Sequence, residues 1–248
     1  MLDVAGVSKR FGGLLAVDDA SLAVTAGEIV GLIGPNGAGK TTLFAIISGF
    51  LPPNAGTIRF QNADVTGEPA HLRARRGIAR TFQVVQPFAG LTVRENIAVG
   101  AYLRHHRRAD ALGRAEAVAR RVGLEAMLER PASDLTVAGR KRLELARALA
   151  TEPKLLLLDE VLAGLNPSEI RDIIPVIHNI RNGGVTVLMI EHVMQAVMSL
   201  CERVYVLAQG RVIADGRPRE VCADPRVIEA YLGHGASERL QATAVTDA

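Results

Sequence analysis

Gly34-Pro35-Asn36-Gly37-Ala38-Gly39-Lys40-Thr41-Thr42 meets the phosphate-binding pattern G-x-x-x-x-G-K-[ST] at every fixed position. The apolar, β-branched run Ile29-Val30-Gly31-Leu32-Ile33 precedes it, and Leu43-Phe44-Ala45-Ile46-Ile47 can continue as a helix. The motif therefore sits in the strand–loop–helix setting it requires. Glycines let the loop curl so that successive N–H groups face inward, and the helix that follows places its positive dipole end at the same point. A triphosphate fits such a nest. Lys40 is the point charge suited to the β- and γ-phosphates, and the Thr41 hydroxyl is a hard oxygen ligand suited to Mg²⁺.

Working outward, the 248 residues suffice for one full core, alone or with an added lobe. Hydrophobic residues make up 48% and aromatics only 4%, which suits an α/β protein with an aliphatic interior. Basic and acidic residues number 29 and 26, and that near balance argues for mixed solvated faces and against a nucleic-acid partner. One denser run, Arg104-His105-His106-Arg107-Arg108, reads as a solvated helix–helix turn, with anionic lipid headgroups as the alternative. Cys201 and Cys222 lack C-x-x-C spacing and read as reduced, structural residues. Neither a secretory signal nor an apolar run near the ~20 residues of a membrane span is expected.

Short strands are expected at Leu2 to Val7 and Ser21 to Val24, with Lys9-Arg10-Phe11-Gly12-Gly13 as a turn. Phe11 is either an adenine-stacking face or a half-buried strand-end aromatic. The first helix should stop at Gly49, before Pro52-Pro53. A strand over Ala55 to Phe60, a short basic helix over Arg73 to Arg76 and an extended segment from Ile78 to Gln83 follow. From Val84 to about Ala150 helix formers dominate, so a helical lobe of about 84–150 is expected as an insertion in the α/β core. Leu143, Ala146, Leu149 and Ala150 share one face of its last helix.

Leu155-Leu156-Leu157-Leu158 reads as a parallel strand buried on both faces, and Asp159-Glu160 stands at its carboxyl end, where open α/β sheets bind ligands. Asp159 reads as a Mg²⁺ partner through water and Glu160 as the general base for the attacking water; the bland alternative is an acidic loop. Asn166-Pro167-Ser168-Glu169 has the chemistry of a helix start, and a kink is expected at Pro175. Val185 to Ile190 forms another buried strand, whose end carries Glu191-His192. His192 is thereby a candidate donor to the γ-phosphate. A hairpin about Gln209-Gly210 and helices near Arg219 and Ile228 to Leu232 close the fold. The tail 234–248 reads as disordered.

These motifs, taken in order, resemble the ATPase subunits of ABC transporters from the start of the chain to Gly233. The resemblance implies an α/β P-loop NTPase of the ABC ATPase fold with an N-terminal antiparallel β portion and an inserted helical lobe. Its single domain is 1–233, with core segments 1–83 and 151–233. It also implies ATP and Mg²⁺ as ligands, and Gln83 as a residue meeting both the metal and the reacting water. Two such subunits sandwich two ATP molecules, each site being completed by the other subunit's signature loop. Phe11-Gly12-Gly13-Leu14-Leu15-Ala16-Val17, Arg80-Thr81-Phe82-Gln83, Thr92-Val93-Arg94-Glu95-Asn96, Ala163-Gly164-Leu165-Asn166-Pro167 and Ile228-Glu229-Ala230-Tyr231-Leu232-Gly233 resemble the LivG type, which powers branched-chain amino acid uptake. The runner-up is the lipopolysaccharide-export ATPase, which shares the Arg73-Ala74-Arg75-Arg76-Gly77-Ile78 region. Implied partners are two transmembrane permeases, a LivF-like second ATPase or a second copy of the chain, and indirectly a periplasmic binding protein. The implied location is the cytoplasmic face of the inner membrane. A soluble ABC ATPase of DNA repair or translation is a competing class, but those chains carry long coiled-coil insertions or tandem cassettes.

Two departures stand out. The family signature Leu-Ser-Gly-Gly-Gln is here Leu135-Thr136-Val137-Ala138-Gly139, so Thr136, Ala138 and Gly139 are the implied contacts to the neighbouring nucleotide, with a methyl group where a glycine normally admits phosphate. Val161 replaces the proline that follows the catalytic Glu in the family.

Overall fold

The computed structural model describes residues 1–82 and 86–232. Gln83 and the tail from Gly233 onward, both subjects of expectations above, lie outside those residues. Among the described residues two sheets form. Strands β1 (Leu2–Phe11), β2 (Leu14–Val24), β4 (Ala55–Phe60) and β5 (Ala63–Asp64) make an antiparallel sheet in the order β2-β1-β4-β5. Strands β3 (Ile29–Ile33), β6 (Ile78–Arg80), β7 (Leu155–Asp159), β8 (Thr186–Ile190), β9 (Arg203–Ala208) and β10 (Arg211–Gly216) make the second, in the order β10-β9-β3-β8-β7-β6. All its pairings are parallel except the β9–β10 hairpin, so β3, β7 and β8 end on one edge.

The leucine run shows why this sheet is central. Leu155 and Leu157 face the core shared with the antiparallel sheet, whereas Leu156 and Leu158 face the core shared with the helical lobe, and all four are fully buried. A strand buried on both faces needs no polar alternation. Val187 to Ile190 alternate between the same two cores.

The N-terminal strands are longer than expected. Pairing continues through Lys9 with Val17 and Phe11 with Leu14, so the anticipated turn shrinks to Gly12-Gly13 and Phe11 ends a strand. Bulges along this ladder absorb the polar residues that break a simple alternation.

Helix α1 (Lys40–Ile47) ends in Ser48 and a left-handed Gly49, as expected. Helix α2 (Ala70–Arg76) is not merely a basic surface helix: Arg73 is 1% exposed and donates to the carbonyls of Ile46, Ile47, Thr66 and Glu68. Its guanidinium thus satisfies the last carbonyls of α1, which have no partner inside their own helix.

The lobe holds α3 (Val93–Ala101), α4 (Arg108–Val122) and α5 (Val137–Ala150). A capping box between Thr92 and Glu95 starts α3. The dense basic run lies between α3 and α4, where Arg107 pairs with Asp110 and His105 with Glu152. Helix α6 (Pro167–Asn182) opens with a capping box between Asn166 and Glu169. It continues through Pro175, which is exposed, so water can reach the carbonyl that loses its ladder bond there. Helices α7 (Met194–Leu200), α8 (Pro218–Cys222) and α9 (Pro225–Leu232) complete the layer. Among the described residues no helix is long and apolar enough to cross a membrane.

Candidate nucleotide site

The loop 34–39 leaves the central strand β3 and enters α1, and its packing dictates its glycines. A Cβ on Gly34 would fall 2.0 Å from the Leu207 carbonyl oxygen, and one on Gly39 would fall 2.2 Å from that of Ala16. Both glycines also hold positive φ, 149° and 102°. The turn of the β9–β10 hairpin braces the loop from outside, with Gly210 N–H donating to the Ala38 carbonyl at 2.9 Å.

This loop lines an open cleft of about 890 Å³ together with Phe11, Glu160 and His192. Phe11 is 45% exposed at its rim and Lys9 lies over its ring. Lys40 is buried, and its Nζ donates to the carbonyls of Gly34 at 2.8 Å and Pro35 at 2.9 Å. Burial pushes the Lys40 ammonium below its ordinary pKa, while Glu160 and Asp159 pull it back up.

Glu160 follows β7 with φ 49°, a left-handed conformation that costs a non-glycine residue about 1–3 kcal/mol. Its N–H donates to the Ile190 carbonyl at 3.0 Å, which ties the tip of β7 to that of β8. His192, just past β8, brings Nε2 within 2.6 Å of Glu160 Oε1. A carboxylate and an imidazole 32 residues apart in sequence therefore meet at the cleft.

Asp159 opens instead into an adjoining cleft of about 480 Å³ that Thr41 also lines. One carboxylate oxygen, Oδ2, accepts from Arg80 at 2.7 Å, and the other, Oδ1, is buried without a hydrogen-bond partner. That ion pair, between strands β6 and β7, was not legible in the sequence. An orphaned carboxylate oxygen and a threonine hydroxyl, on two residues that line one cleft, fit a hydrated Mg²⁺, which takes one or two protein oxygens and leaves the rest to water and phosphate.

Two further buried groups flank Glu160, and sequence reasoning assigned a role to neither. Glu191 is 2% exposed, and its Oε1 accepts from Leu162 N–H at 2.9 Å. Burial pushes its carboxyl up to about 7 against the pull of the Leu162 and His192 N–H groups, with Glu160 adding to the rise. Lys141, on α5, donates from Nζ to the Glu160 carbonyl at 3.0 Å. Val161, in place of the family's proline, is buried in the core shared with the lobe.

Thr136, Ala138 and Gly139 do not join the cleft. Thr136 caps α5, its hydroxyl accepting from Gly139 N–H at 3.2 Å, on an exposed corner of the lobe. The Cys201 thiol, pushed up to about 12 by burial and then by Glu191 and Glu202, is protonated and structural.

The chain is similar to known ATP-binding cassettes. A family described as "ABC transporter" matches residues 17–163, and one described as "Branched-chain amino acid ATP-binding cassette transporter" matches 211–237. The chain is 43% identical over 249 residues to the high-affinity branched-chain amino acid transport ATP-binding protein LivG of Escherichia coli, covering 94% of this chain and 98% of that one. It is 39% identical over 233 residues to the lipopolysaccharide export system ATP-binding protein LptB of the same organism, covering 94% and 97%. A crystal structure of a nucleotide-free ATP-binding cassette from an ABC transporter superimposes with a TM-score of 0.87 at 32% identity, covering 94% of this chain and 99% of the other.

Proposed function

The chain belongs to the ABC transporter family of ATP-binding proteins, and from that premise we propose that it hydrolyses ATP to power the uptake of branched-chain amino acids. The observation that carries this reading is the match of residues 211–237, outside the general ATPase motifs, to the branched-chain amino acid cassette family.

Binding follows from the loop. Its N–H groups and the α1 N-terminus receive the phosphates, and Lys40 exchanges two carbonyl acceptors for phosphate oxygens. The adenine ring stacks on Phe11. Thr41, Asp159 and Gln83 would hold Mg²⁺, which would supply neutralisation of the charge that develops on the phosphate. Glu160 takes the proton of the attacking water, and His192 orients it and donates toward the γ-phosphate. Thr136, Ala138 and Gly139 serve the nucleotide of the neighbouring subunit, in keeping with their distance from this chain's own cleft.

As an ABC transporter subunit the chain works as a dimer with transmembrane permeases. We assign it two permeases, a LivF-like mate in preference to a second copy of itself, a periplasmic binding protein acting through the permeases, and a position on the cytoplasmic face of the inner membrane. We also assign it one ATPase domain over 1–233, with a helical lobe at about 84–150. Purification of the full chain from detergent-solubilised membranes tests these assignments. Recovery of two multi-spanning permeases and a second ATPase, with ATP turnover stimulated by a leucine-loaded binding protein, is the expected result. Turnover stimulated by lipopolysaccharide and indifferent to amino acids would transfer the chain to the export class.

A further inference from the structure

We propose that Lys141 is a positioning residue through which the signature helix α5 sets the orientation of Glu160; the proposal rests on Glu160 being the general base. The backbone at Glu160 needs holding. Glu160 sits at φ 49°, where an L side chain remains only if its surroundings fix it. Its N–H is fixed by the Ile190 carbonyl and its own carbonyl by Lys141 Nζ, so both flanking peptide planes are constrained. One turn on, the buried Glu191 carboxyl receives Leu162 N–H and locks the chain that leaves Glu160. With these planes set, the side chain directs Oε1 to His192.

The origin of Lys141 gives the contact its meaning. It lies on α5 together with the exposed Thr136 cap, so one rigid helix carries the loop offered to the neighbouring nucleotide at its tip and this tie in its second turn. Lys141 as a residue is 7% exposed, and a charged side chain so buried is tolerable only when its protons are used. Here one proton is given to the carbonyl of the base. At 3.0 Å the bond has little slack, because a shift of ~1 Å takes it past hydrogen-bond range. A movement of the signature loop is therefore transmitted to the peptide plane of Glu160, and hydrolysis in one site senses how this chain's loop is seated in the other.

The test measures kcat and KM for ATP on the assembled transporter carrying full-length Lys141→Met, Lys141→Arg or Glu160→Gln. Lys141→Met keeps the length of the side chain and removes the donor. It should lower kcat roughly tenfold to a hundredfold with KM within about twofold, since the loss is of orientation and not of nucleotide binding. Lys141→Arg, which can reach the same carbonyl, should recover most of kcat. Wild-type kcat in Lys141→Met beside an inactive Glu160→Gln overturns the tie and leaves the base in place. A rise in KM matching the fall in kcat overturns it too, because it marks lost nucleotide binding. Wild-type turnover by Glu160→Gln removes the base assignment itself. If Lys141→Met does not melt cooperatively, the decision passes to Lys141→Gln, for which reduced kcat at unchanged KM supports the tie and unchanged kcat refutes it.

Discussion

Replacing Gly39 by alanine should damage nucleotide binding far more than replacing Gly37, though the two glycines lie in one loop and both hold positive φ. At Gly37 φ is 78° and a new Cβ meets nothing within 4 Å, so the cost is left-handed strain alone, about 1–2 kcal/mol. At Gly39 φ is 102° and the Cβ lands 2.2 Å from the Ala16 carbonyl oxygen, part of strand β2 and unable to rotate away. Strain of about 1–3 kcal/mol is joined there by overpacking of about 1–3 kcal/mol. Gly39 also precedes Lys40 and its carbonyl accepts the Leu43 N–H at 2.9 Å, so any shift moves the ammonium and the start of α1 together. Since about 1.4 kcal/mol is tenfold in affinity, Gly39→Ala should weaken binding of a fluorescent ATP analogue at least ~30-fold, and Gly37→Ala by about 5- to 30-fold. Titration alongside thermal melting separates loss of affinity from loss of fold. Equal affinities for the two variants, or the reverse order, would refute the steric argument.

Other outcomes follow from single groups. Ala138→Gly removes the methyl from the first turn of α5, where the neighbouring phosphate is expected; turnover of the assembled transporter should rise roughly threefold to tenfold while the helix loses about 0.5–1 kcal/mol. Unchanged turnover would show that the methyl is no obstacle. Glu191 has its carboxyl raised to about 7 from 4.5, so the native state holds the proton more tightly than the unfolded chain. Its contribution to stability is therefore complete below about pH 4.5 and is lost as pH rises through about 7, by roughly 3 kcal/mol in all. Gln accepts the same Leu162 N–H without ionising, so the melting temperature of Glu191→Gln should match wild type near pH 4.5 and exceed it at pH 8. A constant difference across that range would mean that Glu191 does not titrate there.

Much of this architecture could be read ahead of the structure because its signals are local. The four leucines declared a two-sided strand by lacking polar alternation, and Thr92 with Glu95 and Asn166 with Glu169 wrote their helix starts within one turn. The phosphate loop gave its setting through the runs on either side. What escaped was set by distance along the chain. Arg80 and Asp159 pair across 79 residues, and nothing near either marks the other. Lys141 gave no signal, because its target is a backbone carbonyl, which carries no identity in sequence. Arg73 read only as part of a short basic helix, and its burial was hidden for the same reason: its acceptors are carbonyls. The first strands were underestimated because bulges interrupted the alternation that would have revealed their length.

The account turns on ATP held at Lys40 as the energy source for uptake. Membrane vesicles containing the assembled transporter and its binding protein, supplied with ATP on the cytoplasmic side, give the most direct measurement, with radiolabelled leucine counted on that same side. With Lys40→Ala, whose buried ammonium is gone, nucleotide affinity should fall and leucine accumulation should drop to the level seen without ATP. Wild-type accumulation by that variant would contradict the account.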